Sequence, residues 1–443
     1  MSEQDLIEAS PTKELFISML TKDVTINDAI GDLVDNSLDG ARRICRNDDY
    51  SGLWVKIDIK KNLFRIADNC GGISVDIARY YAFRFGRPSN AERVPGSLGQ
   101  FGIGMKRSLF KLGKKFTIDS TTTESHFVVE IDADKWQNDP NNWTFKFKEI
   151  DESSQPEDKQ GTSISVTSLL PDVAEQFELD DFVSKLKEEL RFEQVININN
   201  GLDIKVNNRS LRAPELKIIK SDDFQPAYYR QTYSDGVNVE IFAGISERSQ
   251  TDSGWYIFCN KRLIVGPPRR DEDTGWGTVK GVPKYHSQYD RFRGYVFLSA
   301  NNANLLPLNT AKTNMDLDSP IFRGIRQQMV QLMIPVISFL NQLHEEQNQY
   351  YRNEIPERLL EKAFNSSKES ALNSPLDLLG ISRENSKFRS PQPPPKTQQE
   401  MGRISYSKPM KEIDEVKRMY DVKSLKEVGE KTFDYFIEKE INQ

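Results

Sequence analysis

Hydrophobic periodicity sets the first divisions of this chain. Residues 12–47 read as helical, and within "INDAIGDLVDNSLDGARRI" the apolar Ile26, Ile30, Leu33, Val34 and Leu38 recur at helical spacing. Two strand-length runs follow, "LWVKIDI" (53–59) and "LFRIAD" (63–68), joined by "KKN" as in a hairpin. Beyond a glycine-rich stretch, "GQFGIGMKRSLFKLG" (99–113), come "KFTIDSTT", "HFVVEID", "WTFKFKEI" and "GTSISVTSL", all rich in the β-branched and aromatic residues that favour strands. Residues 172–192 predict a helix and 203–211 a second hairpin. The pattern predicts an α+β first domain over 1–212, with helices set against a largely antiparallel sheet.

A second unit is predicted over 213–345, with strands at 238–245, 254–265 and 294–300 and a long helix starting near Pro320. A charged helical extension reaches about 372. Residues 373–407, including "SPQPPPKTQQE", have the composition of an extended linker. Residues 408–443 predict a small helical module.

Composition narrows the class. A chain of 443 residues exceeds what one hydrophobic core serves, so two to three domains are expected. The longest apolar run, "MVQLMIPVISFL" (329–340), is too short to span a bilayer, so no membrane partner is expected. The first residues lack the pattern of a secretory signal. The three cysteines are scattered, and with only three histidines neither a zinc site nor a disulfide framework is indicated. A reducing, cytoplasmic setting is the expectation. The net charge of −6 gives the chain as a whole no nucleic-acid footprint. Local basic clusters at 111–115 and 267–284 are interspersed with acids and read as solvated surface.

The candidate chemistry lies in four segments. "DLVDNSLDG" (32–40) places Asp32 and Asn36 four apart on one helix face, where a carboxylate and an amide can position a water and a divalent ion. "DNCGGI" (68–73) sets an Asp at a strand end before a Gly-Gly turn. "GQFGIG" (99–104) opens a helix, and "GTSISV" (161–166) opens a strand. A nucleotide ties these together. The acidic side chain reads the adenine amino group, the glycines admit the base and phosphates, and amides at the helix N-terminus hold phosphate charge. Asn36 suits magnesium, which takes oxygen ligands and keeps several waters. The G-x-x-x-x-G-K-[ST] phosphate loop is absent, and no Rossmann-type strand precedes "GQFGIG".

At these residues the chain resembles the GHKL superfamily of gyrase-type topoisomerases, ninety-kilodalton heat-shock chaperones, histidine kinases and mismatch-repair MutL. "DLVDNSLDG" looks like its N-box, "DNCGGI" and "GQFGIGMKRS" its glycine boxes, and "GTSISV" its Gly-Thr box. The continuation "MKRSLFKLG" looks like the MORC ATPases. The resemblance implies a Bergerat-type ATP-binding sandwich followed by a transducer-like α/β domain. There "IFCNKRLI" (257–264) is similar to the asparagine-basic strand, and "LPLNTAKTNMD" (306–316) to the loop whose lysine reaches the γ-phosphate, here Lys312. It implies ATP and Mg²⁺ as ligands, Asp32 as general base and Asn36 on the metal. Asp68, helped by Thr162 through water, would read adenine. Gly72, Ile73, Gly99, Gln100, Phe101, Gly102, Ile103, Gly104 and Lys106 would line the nucleotide. Residues 84–98 would form a lid, and residues 1–16 a strap exchanged in a nucleotide-dependent homodimer.

Two departures qualify this. The superfamily's base is usually Glu, and Asp32 shortens the arm by one methylene, roughly 1.5 Å. A misplacement of about 1 Å can lower a rate on the order of 100-fold. Slow hydrolysis is therefore expected, with a non-hydrolysing scaffold or a chaperone-like protein acting on a protein partner as the alternative. Cys70 stands where the first glycine of D-x-G-x-G is usual, leaving the turn to Gly71. Asp35 neighbours Asn36 and is expected to point elsewhere. The MORC and MutL likeness suggests DNA as a client, which the acidic balance opposes.

Overall fold

The computed structural model describes residues 11–45, 47–86, 96–97, 102–139, 142–266, 271–309, 312–367, 369–371, 385–392 and 404–441. Two helices come first among the described residues, α1 (Lys13–Thr21) and α2 (Ile26–Ile44). The break within the predicted 12–47 helix is set by Thr25. Its hydroxyl accepts from the Asp28 amide while Asp28 reaches back to the Thr25 amide, so a capping box starts a new helix there.

Strands β1 (Trp54–Lys60) and β2 (Leu63–Asp68) form the expected hairpin. They are followed by the short α3 (Val75–Ile77) and by α4 (Gly104–Leu112). Next come β3 (Gly113–Thr121), β4 (His126–Asp132), α5 (Ala133–Gln137), β5 (Phe147–Asp151) and β6 (Gly161–Leu169). The helix predicted over 172–192 is two helices, α6 (Pro171–Phe177) and α7 (Asp180–Glu193), and α8 (Val195–Asn199) leads into β7 (Asp203–Val206) and β8 (Arg209–Ser210). The sheet order is β5-β4-β3-β6-β2-β1-β7-β8, and every pairing is antiparallel except β1 with β7. Leu33, Val34 and Leu38 of α2 and Leu109 of α4 share one core with Ile57, Ile66, Ile118 and Ile164 of the strands. This part of the chain is a mixed α+β fold with a largely antiparallel sheet.

A second sheet follows β9 (Lys217–Ile219). It contains β10 (Ala227–Thr232), β11 (Asn238–Ile245), β12 (Gly254–Cys259), β13 (Arg262–Val265) and β14 (Phe292–Ser299), in the order β10-β11-β14-β12-β13. The run 254–265, predicted as one strand, is a hairpin. Asn260 and Lys261 sit at φ 44° and 70°, the left-handed pair that a two-residue hairpin turn needs. The 32-residue α9 (Pro320–Tyr351) buries Ile325, Met329, Met333, Val336 and Leu340 against one face of this sheet. Phe242, Phe258 and Phe297 on the other face meet Val195 and Ile196 of α8.

After α10 (Leu359–Ser366), β15 (Glu369–Ala371) pairs with β9. The segment read as linker is attached over part of its length, since Ser386 and Arg389 pair with Tyr228 and Gln225. The chain divides into two compact units, 1–392 and 393–443. The second contains α11 (Met410–Tyr420) and α12 (Leu425–Phe436), the latter started by a Ser424–Glu427 capping box. Among the described residues no helix is long and apolar enough to cross a membrane.

Candidate functional site

The first sheet positions the site through the ends of β2 and β6. Asp68 is cross-strand partner to Thr162. Its carboxylate accepts from Ser37 Oγ at 2.7 Å, the Cys70 amide at 2.9 Å and the Thr162 amide at 3.3 Å. A carboxylate has about four acceptor sites, so one stays available to an outside donor. Burial pushes this carboxyl above its usual range, opposed by the same three hydrogen bonds.

The turn after Asp68 is tight. Gly71 and Gly72 have φ of 86° and 69°, and a Cβ on Gly72 would lie 2.0 Å from the Thr121 carbonyl. Both glycines therefore carry the turn, with Cys70 buried beside them. Ser120 ties the turn to β6. Its hydroxyl accepts from the Ile73 amide at 2.8 Å and lies 2.8 Å from Thr162 Oγ1. Arg43 of α2 donates to the Gly72 carbonyl at 2.8 Å.

These groups surround a cavity of about 40 Å³ lined by Asn36, Ser37, Asp68, Gly72, Ile73, Met105 and Thr162, with Leu33, Ile66 and Ile164 as apolar wall. That is room for a few waters. Five of the sequence-predicted residues thus converge: Asn36, Asp68, Gly72, Ile73 and Thr162. Asn36 is exposed on α2. An exposed amide oxygen fits an ion that keeps most of its waters. Among the described residues no group of three His, Cys, Asp or Glu side chains is arranged to hold a metal.

Gly102, Ile103, Gly104 and Lys106 lie at the start of α4, where Ile103 caps the helix without a side-chain hydrogen bond. First-turn amides left this way suit an anion. Lys106 is buried and donates to the carbonyls of Ala82, at 2.8 Å, and Gly102. Burial pulls its pKa down to about 7. Gly99, Gln100 and Phe101 lie outside the described residues, as do most of the expected lid over 84–98 and positions 1–10 of the expected strap.

Asp32 and Lys312 do not line the cavity; they meet in a buried charge cluster beside it. Asp32 is 2% exposed and takes Arg107 of α4 at 2.6 Å. Lys312 Nζ lies 3.4 Å from Asp32 and 3.8 Å from Asp35. Asp35 also pairs with Arg262 of β13 and accepts from Gln194 at 3.1 Å, and Arg262 reaches Glu193 at 3.1 Å. Asp35 does point away from exposed Asn36, as expected, yet it shares one cation with Asp32. Burial pushes the Asp32 carboxyl up, but Lys312, Arg107 and Arg262 together reverse this and hold it below the usual range. Next to the cluster, Arg42 donates to the Asn260 carbonyl at 2.9 Å, and Asn260 bonds Ser97 and Ala300.

Residues 24–162 match the family model of the histidine kinase-, DNA gyrase B-, and HSP90-like ATPases. The match supports the GHKL superfamily for this stretch. The match begins just before the α2 capping box and ends at Thr162, so it spans every cavity-lining residue named above except Ile164. A search of curated proteins finds no match to the chain. Ser37, Ser120, Arg107, Arg262 and Glu193 were not singled out from the sequence. Ser37 follows Asn36 directly, Arg107 follows Lys106, and Arg262 lies within the asparagine-basic run 257–264, so closeness to those motifs is the signal the sequence carries.

Proposed function

We propose that the chain binds ATP with Mg²⁺ between α2, the β2–α3 turn, the start of α4 and β6, and hydrolyses it slowly. Asp68 reads the adenine amino group, with Thr162 assisting through water. Asn36 holds the magnesium, and Gly102, Gly104, Lys106 and the first-turn amides of α4 hold phosphate. The metal supplies charge neutralisation at the phosphates. The convergence of Asn36, Asp68, Gly72, Ile73 and Thr162 on one cavity inside the matched domain carries this reading.

Asp32 is the candidate base for the attacking water, and its ion pairs favour slow hydrolysis. A carboxylate held below its usual range is a weak base. When Lys312 turns to the γ-phosphate, Asp32 loses one of its cations and gains basicity. The same movement couples the two sheets of the first unit and favours a closed dimer in the ATP state. DNA and protein remain the two client classes. A second reading, a nucleotide-binding scaffold without turnover, is favoured by one observation: Arg107 and Lys312 both occupy the Asp32 carboxylate.

Phosphate release separates the two. Asp32→Asn keeps the side chain's shape and one acceptor oxygen, so ATP binding should persist while turnover falls about 100-fold or more. Unchanged turnover excludes Asp32 as base, and no turnover in the wild type establishes the scaffold.

A further inference from the structure

Residues 385–392, "NSKFRSPQ", lie along the outer edge of the second sheet, against β10. Four backbone hydrogen bonds of 2.9–3.0 Å hold them, two exchanged between Gln225 and Arg389 and two between Tyr228 and Ser386. The two pairs stand three residues apart on both strands. A regular antiparallel ladder repeats every second residue, and Pro226, which has no amide proton, sits between them. Side chains alternate as on a strand, with Ser386, Phe388 and Ser390 half-buried and Lys387 and Arg389 exposed. Two side chains anchor the segment. Asn385 Oδ1 accepts the Arg230 amide at 2.8 Å, ending the pairing, and the Phe388 ring packs 5.9 Å from Phe339 of α9.

This is the geometry of peptide recognition by strand addition, with main-chain bonds supplying affinity and alternate side chains supplying specificity. The occupant is a short irregular addition, set in a stretch of linker-like composition. We propose that the outer edge of β10 is a docking site for an extended peptide of pattern Asn-x-x-Phe, and that residues 385–392 fill it in cis. The amide oxygen of the Asn takes the Arg230 N–H, and the aromatic ring takes the place beside Phe339. A covalently attached occupant competes at an effective concentration on the order of millimolar. A partner's segment therefore gains the edge only when it binds more tightly than the chain's own. This inference is independent of the nucleotide reading.

The test uses the full chain and a fluorescein-labelled peptide of sequence Asn-Ser-Lys-Phe-Arg-Ser-Pro-Gln, read by anisotropy. The double variant Asn385→Ala/Phe388→Ala, whose own segment has lost both anchors, should bind the peptide at least ten-fold more tightly than the wild type. A peptide with Ala in place of Phe should not bind. Hydrogen exchange supplies a second readout: the Gln225 and Tyr228 amides lose protection in the variant and regain it with peptide, while β11 and β14 stay protected. If β11 and β14 lose protection too, Phe388→Ala alone is used with the same criteria. Equal peptide affinity in wild type and variant, or equal binding of the Ala peptide, overturns the proposal.

Discussion

Lys106 shows how one side chain records the pull between burial and charge. Its ammonium donates to two carbonyls and burial brings its pKa to about 7. In the unfolded chain a lysine titrates near 10.4. Between those values the unfolded state binds the extra proton, so stability rises with pH across that window and is lowest below about 7. The full excursion is on the order of several kcal/mol. Chemical denaturation at a series of pH values should show this rise in the wild type, and Lys106→Met should flatten it. An equal slope in both proteins contradicts the assignment. A phosphate beside the ammonium would favour the charged form, which is why a strained lysine at this position suits an anion site.

Among the elements, α2 supplies more cavity-lining residues than any other, and Gly40 is where it packs close against the Cys70 turn. In an isolated helix alanine is preferred to glycine by about 1 kcal/mol. Here a Cβ on Gly40 would lie 2.5 Å from the Cys70 carbonyl. Gly40→Ala should therefore lower the melting temperature and weaken ATP binding, against propensity, because the Cys70 turn must move away from the helix. A raised melting temperature with unchanged affinity would show that the turn yields freely. Elements like α2, the β1–β2 hairpin and the glycine turns were legible because local periodicity and turn chemistry encode them. The β12–β13 hairpin was not, since its residues are buried on both faces and show no alternation, and Asn-Lys is a weak turn signal. The charge cluster was illegible for another reason. Asp35 and Arg262 are 227 residues apart, Asp32 and Lys312 are 280 apart, and only the tertiary fold joins them.

At the scale of the whole molecule, that cluster is where the nucleotide state of one sheet would be felt by the other. Removing one partner of a buried ion pair typically costs about 3–5 kcal/mol, because a charge is left uncompensated. Lys312 can leave Asp32 at lower cost, since Arg107 remains. A ligand shifts such an equilibrium only by its differential contacts with the two states, and under the proposed reading a γ-phosphate would provide one. Light scattering should show a dimer with a non-hydrolysable ATP analogue but not with ADP, and Lys312→Ala should remain monomeric with both. A mass independent of nucleotide, or a Lys312→Ala chain that dimerises and hydrolyses like the wild type, contradicts this coupling. The site itself is tested most directly by calorimetric titration of Mg·ATP into the wild type and Asp68→Ala. Losing the acceptor for a buried amino group costs about 1–3 kcal/mol, so affinity should be lower by roughly 10- to 100-fold in the variant with its fold intact, whereas equal affinity in the two proteins would place the nucleotide elsewhere.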